Sequence, residues 1–107
     1  MNTVAMNTIA EWQAKEGQLE TVLRLLAEVA MKSKEEEGNL FYTVYQSFTE
    51  PNTLYLIEGY QDAVALDAHR NSDYFKQILV GQIVPLLEAR TVNQVRELDL
   101  SDFMLGK

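Results

Sequence analysis

From Gln18 onward, apolar residues fall at Leu19, Val22, Leu23, Leu26, Val29 and Ala30, the i, i+3, i+4, i+7 spacing of an amphipathic helix. Such a helix has one apolar face and needs a sheet or another helix to lie on. On both sides of it the pattern shifts towards that of strands. Val4 to Ala14 mixes β-branched and apolar residues with polar ones and stops at Lys15-Glu16-Gly17, a turn. Leu40 to Phe48 and Leu54 to Tyr60 are rich in aromatic and β-branched residues, and Thr49-Glu50-Pro51-Asn52-Thr53 between them has hairpin length. The long helix runs into Lys32-Ser33-Lys34-Glu35-Glu36-Glu37 and meets Gly38, the residue best able to close a helix in the left-handed conformation. The charge run reads as a solvated helix end in preference to an acidic docking site.

Further on, Asp62 is placed to cap a short helix over Ala63 to His69. Ser72 is placed to cap another carrying Phe75, Ile78, Leu79 and Ile83 and ended by Pro85, and Thr91 to Leu98 reads as the last strand. The order β, α, β, β, α, β makes an α+β domain of ferredoxin-like βαββαβ type, an antiparallel sheet with helices on one face. The 107 residues hold one domain, with its core over about 4–98 and an apolar tail over 99–107 bearing Leu100, Phe103, Met104 and Leu105.

Right-handed crossovers put every helix on the same side of the sheet. Leu54, Leu56, Glu58 and Tyr60 then point one way and Tyr55, Ile57 and Gly59 the other, while Leu40, Tyr42 and Val44 oppose Phe41 and Tyr45. Both faces carry large apolar groups, so a homodimer through the open sheet face is expected, with the tail as a clasp. The alternative is a monomer with a wet, tyrosine-rich face.

Sixteen acids against nine bases give a net charge of −7, which repels phosphate backbones and anionic membranes, so neither nucleic acid nor a membrane is an expected partner. The absence of cysteine removes disulfides, thiolate catalysis and sulfur-rich metal sites, and fits a cytoplasmic protein. With one histidine a closed zinc site is not available either, and no Gly-rich phosphate loop occurs. A Ser-His-Asp set assembled from Ser47 or Ser72 with Asp67 lacks a nucleophile elbow.

His69 is that one histidine, four residues after Ala65 and three after Leu66, hence on the apolar side of its helix. It is either a general base in an apolar place or a hydrogen-bonded core residue. Glu58 points inward from a strand expected to be central. It either orients His69 or accepts hydrogen bonds from backbone and tyrosine. Tyr42, Tyr60, Tyr74, Phe75, Trp12 and Met31 are candidates to line a pocket for a flat ligand, with packing as the competing role of each.

Several segments follow one another at fixed distances. They are Lys15-Glu16-Gly17, Glu36-Glu37-Gly38-Asn39-Leu40, Glu50-Pro51, Leu56-Ile57-Glu58-Gly59-Tyr60-Gln61-Asp62, Ala65-Leu66-Asp67-Ala68-His69 and Ser72-Asp73-Tyr74-Phe75. Together they resemble the antibiotic biosynthesis monooxygenase family, including its small quinol monooxygenases, over about residues 4 to 98. The resemblance implies a dimeric α/β barrel of ferredoxin-like subunits, each with a pocket between helices and sheet. It further implies oxidation of an electron-rich phenol or quinol by dioxygen without cofactor or metal. His69 and Glu58 would be catalytic, and Tyr60, Tyr42, Phe75 and Met31 would bind substrate. The Glu-x-Tyr-x-Asp pattern also resembles a relative that isomerises a phosphorylated hydroxy-dione, and a non-catalytic small-molecule-binding dimer is the third expectation.

Overall fold

The structure is a computed structural model that describes residues 4–104. Four strands, β1 (Met6–Ala14), β2 (Asn39–Gln46), β3 (Thr53–Tyr60) and β4 (Leu87–Val95), form one sheet in the order β2-β3-β1-β4 with every neighbouring pair antiparallel. The helices are α1 (Leu19–Lys34), α2 (Ala63–Arg70) and α3 (Phe75–Ile83), the last wound as a π-helix and followed by a 3-10 turn over Val84–Leu86. The ferredoxin-like βαββαβ order is as the sequence predicts, with the helices on one face of an open sheet.

The core forms where the α1 stripe meets the inward face of the sheet. Val22, Leu26 and Val29 lie against a layer that includes Ala10, Trp12, Leu54 and Leu56 from the strands and Ile78, Leu79 and Ile83 from α3. Each such aliphatic side chain contributes roughly 1.5–3 kcal/mol by leaving water. Leu23, expected in the stripe, is exposed instead, whereas Ser33 is fully buried and donates back to the Val29 carbonyl at 2.7 Å.

Several details differ from the sequence expectation, beyond shifts of one or two residues at the start of β1, at both ends of β2 and at the start of β3. The last strand begins at Leu87 and ends at Val95, earlier at both ends than Thr91 to Leu98, because the short turn over Val84–Leu86 delivers the chain straight into pairing with Ala14. Leu40, expected inward, is 53% exposed, because Asn39 and Phe41 pair with the consecutive residues Tyr60 and Gly59 and Leu40 bulges out between them. The second helix extends one residue further than expected, to Arg70. Finally, α1 stops at Lys34, and Gly38 is not a left-handed cap, since Gly17 (φ 79) is the glycine with positive φ. Gly38 is needed for close approach. A Cβ there would lie 2.4 Å from the Cβ of Ala65, so glycine lets α2 sit directly on the start of β2.

On the other face, Ile9, Phe41, Tyr45 and Tyr55 are exposed. Phe41 lies over Gly59, where any Cβ would strike its ring. Beyond β4 the chain runs out through Leu98, Leu100, Phe103 and Met104, all exposed, and Leu105 lies outside the described residues. This arm contributes to a radius of gyration of 15.6 Å, against about 13 Å for a compact chain of this length. No described helix is long and apolar enough to cross a membrane.

Candidate active site

Three elements converge on His69. It sits near the end of α2, whose N-terminus is capped as expected, the Asp62 carboxylate accepting from the Ala65 N–H at 2.8 Å. The imidazole is 2% exposed and lies beside Tyr60 (ring centroids 4.8 Å apart), with the Phe75 ring edge-on at 5.0 Å. Glu58 projects inward from β3, its Oε1 accepting the Tyr60 hydroxyl at 2.8 Å and lying 3.7 Å from His69 Nε2. Strand alternation had put Glu58 and Tyr60, and helical spacing His69, on the side where all three are buried.

The partner at the other ring nitrogen is one the sequence reading missed. Glu36, assigned there to a solvated helix end, has its carboxylate 3.2 and 3.4 Å from His69 Nδ1. The chain curls tightly after α1, with the Glu36 N–H donating to Ser33 O and Asn39 N–H donating to Glu36 O, and this returns one acid of the run to the interior. Tyr74 donates its hydroxyl to Glu36 and lies 3.3 Å from Nδ1, and Ser33 Oγ stands 3.2 Å from the same hydroxyl. A carboxylate can only accept, so Glu36 fixes Nδ1 as the protonated nitrogen and leaves the Nε2 lone pair on the Glu58 side.

Burial sets the proton affinities. It lowers the pKa of His69 from its ordinary 6.5, while Glu36 pulls it partly back. Burial pushes the Glu58 carboxyl up to about 7, with the Tyr60 hydrogen bond and then Arg70 and Arg90 acting against it. Tyr42, Tyr60 and Tyr74 are all raised, chiefly by burial, and stay protonated as hydrogen-bond donors. Near neutrality the site therefore holds a neutral imidazole beside a carboxyl group poised between its two forms.

His69, Glu58 and Phe75 line a cavity of about 40 Å³ whose other walls include Trp12, Thr8 and Val92. Its rim is formed by Arg70, Arg90 and Gln94, which are exposed. Tyr60 and Tyr42 do not reach it. Tyr60 lies behind His69, and Tyr42, paired across the sheet with Glu58, is buried with its hydroxyl unpartnered among the described residues. Met31 is 57% exposed and away from the site, since at 100° per residue it lies on the opposite side of α1 from Val29 and Ser33. Trp12 and Tyr74, weighed from the sequence as pocket aromatics against packing, both belong to the site, Trp12 in the cavity wall and Tyr74 on Glu36 and His69. Arg70 and Arg90 give no local pattern from which sequence could have found them. Among the described residues no three His, Asp or Glu side chains are grouped to hold a metal ion.

The fold is shared with many solved proteins. A conserved protein from Methanosarcina mazei Go1 is 28% identical, superimposes with a TM-score of 0.83, and is matched over 90% of this chain and 95% of its own. A protein from Pseudomonas aeruginosa is 26% identical with a TM-score of 0.85, over 92% of this chain and 99% of its own. A structure described as an antibiotic biosynthesis monooxygenase is 26% identical with a TM-score of 0.81, over 88% and 99%. No curated protein matches the sequence. The family model for antibiotic biosynthesis monooxygenases matches residues 6–79, a span that carries Glu36, Glu58, His69 and Phe75, and the chain belongs to that family.

Proposed function

We propose that the protein is a cofactor-independent monooxygenase that oxidises a small electron-rich hydroxyarene or quinol with dioxygen. The observation that carries this reading is a buried, neutral imidazole whose Nδ1 is held by Glu36 and whose Nε2 lies on the cavity side towards Glu58. His69 Nε2 takes the phenolic proton, and the Glu36 carboxylate compensates the imidazolium that forms. The arenolate passes one electron to dioxygen, and the two radicals combine at a ring carbon to give a peroxide. Protonation and loss of water, with removal of the proton from that same carbon, leave a quinone. The balance is hydroxyarene plus O2 to quinone plus H2O. His69 and the Glu58 carboxyl supply and collect the protons.

The cavity as it stands has the scale of dioxygen or water, since a benzene ring fills roughly 150 Å³. The ring of the substrate therefore lies at the rim, between α2 and β4, with its reacting edge towards His69. A homodimer closed through the open sheet face, making an α/β barrel with the tail as clasp, is part of the same reading and is supported by the exposed Ile9, Phe41, Tyr45 and Tyr55. Sedimentation at micromolar concentration tests it, with twice the chain mass expected. A cytoplasmic location is part of the same reading, with which a chain free of cysteine is compatible.

Oxygen-electrode measurements with 1-naphthol and with menadiol test the chemistry. Enzyme-dependent uptake with 18O from O2 in the naphthol product is expected, and no uptake above the spontaneous rate for either compound overturns it. One observation favours a second reading. A Glu58 carboxyl that gains and loses its proton near pH 7 beside His69 is also an acid–base pair for isomerising a small hydroxy-dione. Solvent deuterium exchange into such a dione under argon, absent in H69A, would mark that activity.

A further inference from the structure

Arg70, the last residue of α2, and Arg90, on the edge strand β4, reach the rim of one cavity from different elements. The protein is strongly acidic overall, and only nine of its residues are Lys or Arg. Two of those nine meet here. Neither guanidinium has a hydrogen-bond or ion-pair partner among the described residues, where the carboxylate contacts of basic groups are Arg24–Glu20 and those of the neutral His69 with Glu36 and Glu58. The acid of the same cavity, Glu58, is not in ion-pair contact with either among the described residues, though the three groups feel one another: burial and then Arg70 lower the pKa of Arg90 while Glu58 raises it, and both arginines act to lower that of Glu58.

A second unmet requirement lies in the same walls. Trp12 is 1% exposed, lines this cavity, and its indole N–H is buried without an acceptor among the described residues. A buried donor left unpaired costs roughly 1–3 kcal/mol. Two guanidinium forks at the mouth, unpaired among the described residues, are the complement of a ligand that brings acceptor oxygens and negative charge, and Trp12 leaves one more donor unmet in a residue of the same lining. Arg90 lies outside the span matched by the family model.

We infer that Arg70 and Arg90 form an anion-recognition subsite, and that the physiological substrate is an aromatic or enolic compound carrying a carboxylate or phosphate ester beside its reacting hydroxyl. This rests on the oxygenase reading only for the identity of the reacting ring. Binding of the anion does not depend on the chemistry that follows. The guanidinium fork takes a carboxylate or phosphate through paired N–H donors, anchoring one end of the substrate while its hydroxyl reaches His69.

Calorimetric titration of the wild-type protein under argon, with 1-naphthol, 1-hydroxy-2-naphthoate and 1-hydroxy-2-naphthyl phosphate, tests the subsite without turnover. At least one anionic probe is expected to bind tenfold or more tightly than 1-naphthol, with an advantage that shrinks on going from 20 to 300 mM NaCl. In R70Q and R90Q, each checked for a native melting transition, the advantage should fall below threefold, and R90K should retain part of it. The relative ranking of the two anions tells carboxylate from phosphate. Equal binding of all three probes, or an anion preference that survives in R70Q/R90Q, overturns the inference. Oxygen uptake is read separately. Arginine-dependent anion binding without oxygen uptake leaves the subsite standing and removes the oxygenase, whereas oxygen uptake with 1-naphthol and no anion preference does the reverse.

Discussion

The turn between α1 and β2 and the centre of β3 each present one carboxylate to His69, under contrasting conditions. Glu58 comes from a strand flanked by two others, its side chain 8% exposed, and burial drives its pKa up to about 7. Glu36 comes from a surface turn, its side chain is 23% exposed, and it contacts the imidazole more closely, at 3.2 Å against 3.7 Å. The turn keeps its carboxylate near water, where the charge costs little, and spends it on orienting Nδ1. The strand holds a carboxyl that gives up its charge easily. One wall is therefore suited to positioning and the other to exchanging protons.

The largest expected effect removes what the two walls share. H69A should lower kcat on a turned-over hydroxyarene by roughly 10²–10⁴-fold, the usual worth of a positioned base, and activity within threefold of wild type would mean neither wall serves catalysis.

The next effect separates the walls by stability. Glu58 binds its proton more tightly folded than unfolded, so its contribution is most favourable below pH 4.5 and is lost as pH rises towards about 7. The lowered pKa of His69 works in the opposite sense, adding stability as pH rises to 6.5 and nothing beyond. E58Q removes the first term only. Urea unfolding should find E58Q more stable than wild type by about 3 kcal/mol at pH 8 and by less than about 1 kcal/mol at pH 5. The same gain at both pH values would show that Glu58 is not the titrating wall. E36Q, by contrast, should keep the loss of stability between pH 4.5 and about 7 that belongs to Glu58 but steepen the His69 rise below pH 6.5, because Glu36 raises the His69 pKa. It should also lower kcat roughly 10- to 100-fold, the scale seen when the group orienting a functional imidazole is altered. If E36Q instead abolishes the Glu58 limb and spares kcat, the roles of the two acids are exchanged.

The same contrast explains what could be read in advance. Glu58 was legible because strand alternation is strict, so its inward direction followed from Leu54 and Leu56. His69 was legible from its spacing to Ala65 and Leu66 on a helix. Glu36 was not, because a run of three acids is averaged into a solvated surface, and its direction depends on a turn whose geometry hangs on Ser33, Asn39 and the tight seat of Gly38 against Ala65. The π-winding of α3 and the bulge at Leu40 are likewise set by packing and pairing rather than by local preference. Met31 was misplaced for a simpler reason, since the angular position it occupies on α1 was already fixed by Val22, Leu26 and Val29.

The smallest effect tests the β3 wall from behind. Tyr60 donates to Glu58 and lies beside His69, so Y60F keeps the ring contact and deletes only the hydroxyl. A hydrogen bond to a neutral acceptor is worth roughly 0.5–1.5 kcal/mol and one to a charged acceptor roughly 1.5–3 kcal/mol. At pH 5 the Glu58 carboxyl is protonated in the folded protein, and at pH 8 it is a carboxylate. The destabilisation by Y60F should therefore grow by about 1 kcal/mol between those pH values. The hydroxyl also lowers the affinity of Glu58 for its proton, so its loss should move the folded-state titration, followed by carboxyl NMR shifts, above 7. A pH-independent cost with an unmoved titration would mean that Tyr60 merely fills space behind His69, and that the β3 wall sets its own proton affinity through burial alone.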